Sequence, residues 1–143
     1  MNIIGCDPGK AGGITIIADE GVSAISMPET VGDLVDTLRT IKACNSGPMV
    51  AYVEAVHSSP QMGVVSAFTF GRGLGNLEAA LQSLSIPLRW VRPQAWQKAM
   101  GCLTKGDKNV SKRRAQELFP TIKVTHAIAD SLLIAEYGRR TER

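Results

Sequence analysis

The chain contains five short apolar segments rich in β-branched residues and several helical patterns, and the order of these elements restricts the fold more than any other feature. Residues 2–6, 13–18 and 22–27 are separated only by turn-forming residues, which predicts an antiparallel meander of three strands. Residues 49–55 and 88–91 are also strand-like, but a helical segment precedes each of them. Strands joined through a helix pair in parallel, through crossover connections. We therefore predict an α/β fold with a mixed five-stranded sheet, three antiparallel strands followed by parallel ones, flanked by helices.

Five helices are predicted from apolar spacing and from residues that start and end helices. They cover residues 30–43, a Gly-containing segment that leads into a helix ending near Leu84, and residues 93–100, 108–118 and 125–137. Gly138 is expected to end the last helix, since glycine commonly follows a helix C-terminus. The chain has 143 residues and neither an internal repeat nor a linker, which predicts a single domain over residues 1–143.

Composition excludes several classes of protein. No apolar run approaches the roughly 18 residues that cross a bilayer, and no basic segment followed by an apolar one has the pattern of a secretion signal. We therefore expect a cytoplasmic protein without a membrane partner. The 3 cysteines are far apart and lack the spacing of a zinc site or a disulfide framework. The glycines form neither a dinucleotide motif nor a P-loop, so no organic cofactor is expected.

Basic and acidic side chains are distributed unevenly along the chain, although the formal net charge is only +3. Residues 1–88 contain four basic and eight acidic side chains, whereas residues 89–143 contain twelve basic and five acidic ones. A basic half beside an acidic half that keeps its own carboxylates is typical of an enzyme that binds a polyanion and holds metal ions. A solvated basic surface is the alternative interpretation.

Three carboxylates lie beside predicted core elements without a basic partner in sequence. Asp7 follows the first strand, Glu54 lies at the end of the fourth, and Asp130 interrupts the apolar last helix. If the first and fourth strands are parallel neighbours, Asp7 and Glu54 meet at one edge of the sheet. Clustered carboxylates repel one another unless a cation joins them, and a hard divalent cation prefers such oxygen ligands. Each acid alone also fits an ordinary place in a turn, at a strand end or on a helix surface.

His126 lies four residues before Asp130, so the two side chains share one face of the last helix. The imidazole is a candidate metal ligand, proton shuttle or orienting group for the attacking water. A solvated histidine at a helix start is the alternative.

A basic segment begins as a Gly-containing loop and becomes a helix, and it carries Lys105, Lys108, Lys112 and Arg113. Lys108 and Lys112 are four residues apart, so they point the same way and are predicted to bind phosphates of a polyanion. An ordinary solvated helix fits the same spacing. The sequence leaves open which lysine lies closest to the reacting phosphate.

Five motifs in order resemble the RuvC family of Holliday junction resolvases, in particular its short phage-type branch. They are GCDPG at 5–9, VE at 53–54, GVVSAFTFGRG at 63–73, VRPQAW at 91–96 and ADSLLIA at 129–135. The resemblance implies a ribonuclease H-like fold, a homodimer, and Mg²⁺-dependent cutting of two opposed phosphodiesters in four-way DNA junctions.

The resemblance also implies roles for single residues. Asp7 matches the family's acid of the first strand, Glu54 that of the fourth strand, and Asp130 the last acid of the C-terminal helix. The family's fourth ligand is usually an acid, sometimes a histidine, one turn before that last acid. Here Ala127 occupies the three-residue spacing and His126 the four-residue spacing, which is a departure from the family pattern.

Phe68, Phe70 and Arg72 resemble a stretch that packs at the family's dimer interface and reaches the junction crossover. They are therefore predicted to contact DNA; the alternative is that the two phenylalanines are core residues. Because the resemblance implies DNA as the polyanion, Lys105, Lys108, Lys112 and Arg113 are predicted to contact DNA as well.

The chemistry of a phosphodiester predicts hydrolysis with two Mg²⁺ ions roughly 3.5–4 Å apart, which activate a water and stabilise the leaving 3′ oxygen. Mn²⁺ is the expected substitute. Two other functions stay open: a structural junction-binding protein whose metal site has decayed, and a nuclease of the same fold that acts on other branched DNA or on RNA–DNA hybrids, because a fold does not fix its substrate.

Overall fold

The computed structural model describes all 143 residues, and its strands and helices follow the predicted order. The strands are β1 (Asn2–Asp7), β2 (Gly13–Ala18), β3 (Gly21–Ser26), β4 (Met49–Glu54) and β5 (Leu88–Val91). The helices are α1 (Val31–Cys44), α2 (Val64–Ser83), α3 (Pro93–Met100), α4 (Lys108–Leu118) and α5 (His126–Thr141). The sheet has the order β3-β2-β1-β4-β5. Pairing is antiparallel from β1 through β3 and parallel from β1 through β4 to β5, so the predicted mixed sheet is confirmed.

The alternation of side chains along the central strands divides the core into two layers. On β1, Ile3 packs with the layer that contains side chains of α3, α4 and α5. Ile4 and Cys6 point the other way and pack with side chains of α1 and α2. Both faces of β1 and β4 are therefore buried, which explains why these strands are almost continuously apolar.

Helix α5 lies directly on the sheet because small residues let the two backbones approach. A Cβ at Gly5 would overlap the backbone of Ser131 and Ala135. The hydroxyl groups of Thr15 on β2 and Ser131 on α5 form a buried hydrogen bond of 2.8 Å. These contacts fix the height and rotation of α5, and with them the position of Asp130, the residue just before Ser131.

The expectation that Gly138 ends the last helix is wrong, since α5 continues to Thr141. A Cβ at Gly138 would lie 2.6 Å from the ring of Tyr52 and 2.8 Å from Ile3. The glycine is thus required for close packing of the helix on the sheet. Beyond it, the Tyr52 hydroxyl donates a 2.7 Å hydrogen bond to Glu142, which ties the end of the helix to β4.

Helix α2 is the longest, with 20 residues, and it already begins at Val64, so the Gly-containing segment predicted to precede the helix is its first half. The buried residues of α2 are Leu77, Ala80 and Leu81, all in its second half. Most side chains of the first half are exposed. None of the helices combines the length and apolarity needed to cross a membrane.

Candidate metal centre

The parallel pairing of β1 and β4 brings two carboxylates together. Cys6 lies opposite Val53, so the next residues along the two strands, Asp7 and Glu54, lie side by side at strands spaced about 4.8 Å apart. Asp7 is four residues after Ile3, and Glu54 is two residues after Tyr52. Because Ile3 and Tyr52 pack in the layer under α5, both carboxylates point to that same face of the sheet. The predicted meeting of Asp7 and Glu54 at one edge of the sheet is confirmed.

The turn between β1 and β2 packs tightly around Asp7. Gly9 has a φ of +106°, which favours glycine, and it accepts a 3.1 Å hydrogen bond from the N–H of Gly12. A Cβ at Gly12 would overlap the backbone carbonyl of Asp7 and lie 3.1 Å from its Cγ. A larger residue at position 12 would therefore displace the Asp7 side chain.

The surroundings of Asp7 disfavour its charged form. Burial, then the charges of Glu54 and Asp130, raise the pKa of Asp7 to about 8, and only Lys108 opposes them. Burial also raises the pKa of Glu54, and the charge of Asp130 adds to that effect. The three acids therefore form one electrostatic cluster without a counter-charge that balances it.

Asp130 is placed by α5 and faces α4. Burial raises its pKa, whereas the nearby Ser111 hydroxyl and the charges of Lys108 and His126 lower it. His126 is the first residue of α5 and is exposed, one turn before Asp130. The predicted juxtaposition of His126 and Asp130 on one helix face is thus present.

Two further residues lie beside the acids: Trp96 on α3, which the sequence indicated only as the last residue of a family motif, and Ser111 on α4, which it did not indicate. The indole Nε1–H of Trp96 donates a 2.8 Å hydrogen bond to Oε1 of Glu54, and the Trp96 side chain is completely buried. Ser111 is buried beside Asp130. One signal was available: a serine on the same face as Ala115, in a helix that is otherwise polar, indicates a buried hydroxyl with a specific partner.

The predicted DNA-binding residues of α4 separate into two groups. Lys108, at the start of α4, is the one whose charge lowers the pKa of both Asp7 and Asp130. Lys105 is exposed in the loop before the helix, and Arg113 lines a groove between α3 and α4 on another side of α4. Among these basic residues, Lys108 is therefore the one placed near the carboxylates; which lysine lies closest to the reacting phosphate stays open.

The three predicted DNA-contacting residues of α2 also have different surroundings. Phe68 is 72% exposed, so it is not a core residue. Phe70 is half-buried, and its ring lies over Gly9, with Cε2 3.2 Å from where a Cβ would be. Arg72 is exposed. Phe70 therefore connects α2 with the turn after Asp7, whereas Phe68 and Arg72 project outwards.

As a cation site, the cluster fits by charge and donor type but is not arranged around one point. No three His, Cys, Asp or Glu side chains are grouped so that they could hold a metal ion. Glu54 is turned towards Trp96, and Asp130 towards Ser111. Neighbouring half-buried carboxylates that raise one another's pKa are the donors a divalent cation would draw together. The residues fit Mg²⁺ if the Asp7 and Asp130 carboxylates turn towards the Glu54 oxygen that Trp96 leaves unbonded, and the four-ligand set stays a prediction.

Comparison with known proteins gives likeness of structure rather than of sequence. No protein-family profile matches the chain, and no curated protein matches it. A Thermus thermophilus RuvC structure matches with a TM-score of 0.68 at 19% identity, covering 99% of this chain and 97% of that one. T. thermophilus RuvC in complex with a Holliday junction substrate matches with a TM-score of 0.67 at 18% identity, covering 98% and 96%. The chain therefore has the ribonuclease H-like fold of RuvC, as the sequence motifs predicted.

Proposed function

We propose that the protein is a divalent-metal-dependent endonuclease that resolves four-way DNA junctions. The observation that carries the proposal is the convergence of Asp7, Glu54 and Asp130 at the end of the parallel strands. The fold supports it, because the RuvC structure that this chain resembles over nearly its whole length was solved with a Holliday junction substrate. Lys108 of α4 acts on the Asp130 carboxylate, and from there its ammonium group would contact a phosphate of the DNA.

In this proposal, Asp7, Glu54, Asp130 and His126 hold two Mg²⁺ ions, for which Mn²⁺ substitutes. When bound, the ions would supply an activated water and charge stabilisation for the leaving oxygen. Asp7 interacts by charge with both Glu54 and Asp130, so its carboxylate would help to hold both ions. Lys108 binds the phosphate next to the cut and offsets its developing charge.

An exposed apolar face on the first half of α2 supports a homodimer. Val64 is 87% exposed, Val65 79% and Phe68 72%, and Val64 and Phe68 are four residues apart on one side of the helix. A contiguous apolar surface of this kind marks an interface. A second copy of the chain is the proposed occupant, because two symmetric cuts in a four-way junction need two centres related by a two-fold axis.

Sedimentation velocity tests this dimer. Phe68→Asp should convert a dimer into a folded monomer, because Phe68 is 72% exposed and its replacement removes little apolar volume from the core. Val31→Asp is the matched control, since Val31 is also exposed, at 53%, but lies at the start of α1. A wild-type protein that sediments as a monomer at working concentration contradicts the proposal of paired incision.

The competing function is a junction-binding protein that does not cut. It is favoured by the lack of three side chains grouped as metal ligands. Incubation of a synthetic four-way junction with the protein, in Mg²⁺, Mn²⁺ or a chelator, decides between the two. We expect symmetric nicks only with a divalent ion, loss of nicking but not of binding in Asp7→Asn, and full activity in the control Asp19→Asn, an exposed turn residue. Tight binding without nicks in every metal would establish the competing function.

The choice of substrate needs its own comparison. Rates of cleavage are measured under the same conditions for four substrates: a four-way junction, a flap, a replication fork and an RNA–DNA hybrid. We expect the junction to be cut fastest, because the proposed dimer presents two centres to opposed strands. A preference for the hybrid would assign the protein to a different nuclease class within the same fold.

A further inference from the structure

A fully buried indole and a carboxylate of the candidate metal centre are joined by a hydrogen bond that no local sequence pattern predicts. Trp96 on α3 and Glu54 on β4 are 42 residues apart in the chain, and Nε1 and Oε1 are separated by 2.8 Å. Trp96 has 0% exposure, and its neighbour Met100, one turn on, is 1% exposed. The core thus holds the ring in place from α3.

The chemistry of the two groups makes this bond directional. An indole has one N–H and can only donate, so a buried indole requires an acceptor. A carboxylate has two oxygens, and a donor on Oε1 restricts rotation of the whole group while leaving Oε2 free. The effect on charge is consistent, since the hydrogen bond lowers the pKa of Glu54 against the effect of burial.

We infer that Trp96 is a positioning residue that holds the Glu54 carboxylate by Oε1, so that Oε2 is presented to a divalent cation at the end of β1 and β4. This inference rests on the metal centre of the proposed function. Helix α3 then does more than pack against the core, because it carries a residue that hydrogen-bonds a metal ligand without contacting the metal itself. Such residues fix the orientation and basicity of the ligand.

Calorimetric titration of the full chain with Mn²⁺, in the absence of DNA, tests the inference. Trp96→Phe removes the N–H and keeps most of the ring volume, and loss of an outer hydrogen bond typically weakens metal affinity about 10- to 100-fold. We expect a loss of about 10-fold or more. Met100→Val is the matched control, because it removes buried apolar volume from the same helix and leaves the Trp96–Glu54 hydrogen bond in place. Its affinity for Mn²⁺ should stay within about twofold of wild type.

A spectroscopic test does not depend on the folding of Trp96→Phe. The chain has 2 tryptophans, and Trp90→Phe leaves Trp96 as the sole emitter. Because its N–H is bonded to Glu54, Mg²⁺ binding should shift the emission of Trp96. The same titration on Trp90→Phe combined with Glu54→Gln should give no shift.

The outcomes separate this inference from the function on which it rests. Wild-type protein that binds Mn²⁺ while Trp96→Phe binds it equally tightly overturns the positioning role alone. Equal losses in Trp96→Phe and Met100→Val do the same, because they indicate general weakening of α3. Wild-type protein that binds no Mn²⁺ overturns the metal centre and the positioning role together.

Discussion

Replacing Asp7 with asparagine should make the metal-free protein more stable at alkaline pH while abolishing cleavage. Burial and the charges of Glu54 and Asp130 raise the pKa of Asp7 from 3.8 to about 8. Between these values the folded state keeps a proton that the unfolded state releases, so the stability of the wild type falls as the pH rises through this range. Asparagine has nearly the shape of the protonated acid and carries no charge at any pH.

The size of the effect follows from the same values. A pKa difference of 1 is worth about 1.4 kcal/mol, so a rise from 3.8 to about 8 corresponds to about 6 kcal/mol. Water that reaches the ionised group lowers this figure, and we expect Asp7→Asn to gain about 2–5 kcal/mol at pH 9. For a chain of this length, that is a rise of about 6–15 °C in melting temperature. Below pH 4 the two proteins should be equally stable.

Differential scanning calorimetry at pH 4, 6 and 9, with chelator and with Mg²⁺, measures both parts of the prediction. Mg²⁺ at ten times its dissociation constant should stabilise the wild type by about 1.4 kcal/mol, and should leave Asp7→Asn unchanged. Asp19→Asn, in the exposed turn between β2 and β3, serves as the control and should follow the wild type throughout. An Asp7→Asn protein that is equally or less stable at pH 9 would refute the claim that unbalanced carboxylates strain the metal-free fold.

Three other contacts are testable by single substitutions. Lys108→Ala should lower the slope of log junction affinity against log salt concentration by about 0.9 per lost phosphate contact. Arg39→Ala, on the opposite layer, is the control. Equal slopes in the two variants would show that Lys108 is an ordinary surface residue. Glu136→Gln should cost about 2 kcal/mol of folding stability at pH 7. Burial raises the pKa of Glu136, but hydrogen bonds from two arginines lower it below 4.5 overall. The stabilisation is therefore present above pH 4.5, and the difference in urea midpoint between the two proteins should vanish as the pH falls below 4.5. Gly138→Ala should cost about 1–3 kcal/mol, because its Cβ would lie 2.6 Å from the Tyr52 ring; an unchanged urea midpoint would contradict that packing argument.

The strands and most helix boundaries were predictable because the residues that determine them lie within each element or directly beside it in the sequence. β2 and β5 have the limits predicted from apolar runs bounded by turn residues. Pro93 begins α3 and Pro120 follows the end of α4, as predicted. Gly138 misled because glycine has two uses, ending a helix and allowing close approach. Only the position of Tyr52 on the neighbouring strand decides between them, and that contact is not encoded near residue 138.

The candidate site was predictable to the extent that the topology determined it. Parallel pairing of β1 with β4 brings Asp7 beside Glu54, so the order of the strands was sufficient for this pair. Trp96, Ser111 and the choice of Lys108 depend on how α3 and α4 dock against α5, which is set by shape and core packing over long sequence separations. Residue spacing within a helix carries no information on that docking.

A crystal structure of the protein grown with Mn²⁺, with anomalous diffraction recorded near the manganese edge, tests the central claim most directly. The account predicts manganese at the carboxyl ends of β1 and β4, contacted by Asp7 and by one or both of Glu54 and Asp130. Manganese bound only elsewhere on the protein, or three carboxylates that keep their metal-free positions at saturating Mn²⁺, would contradict it.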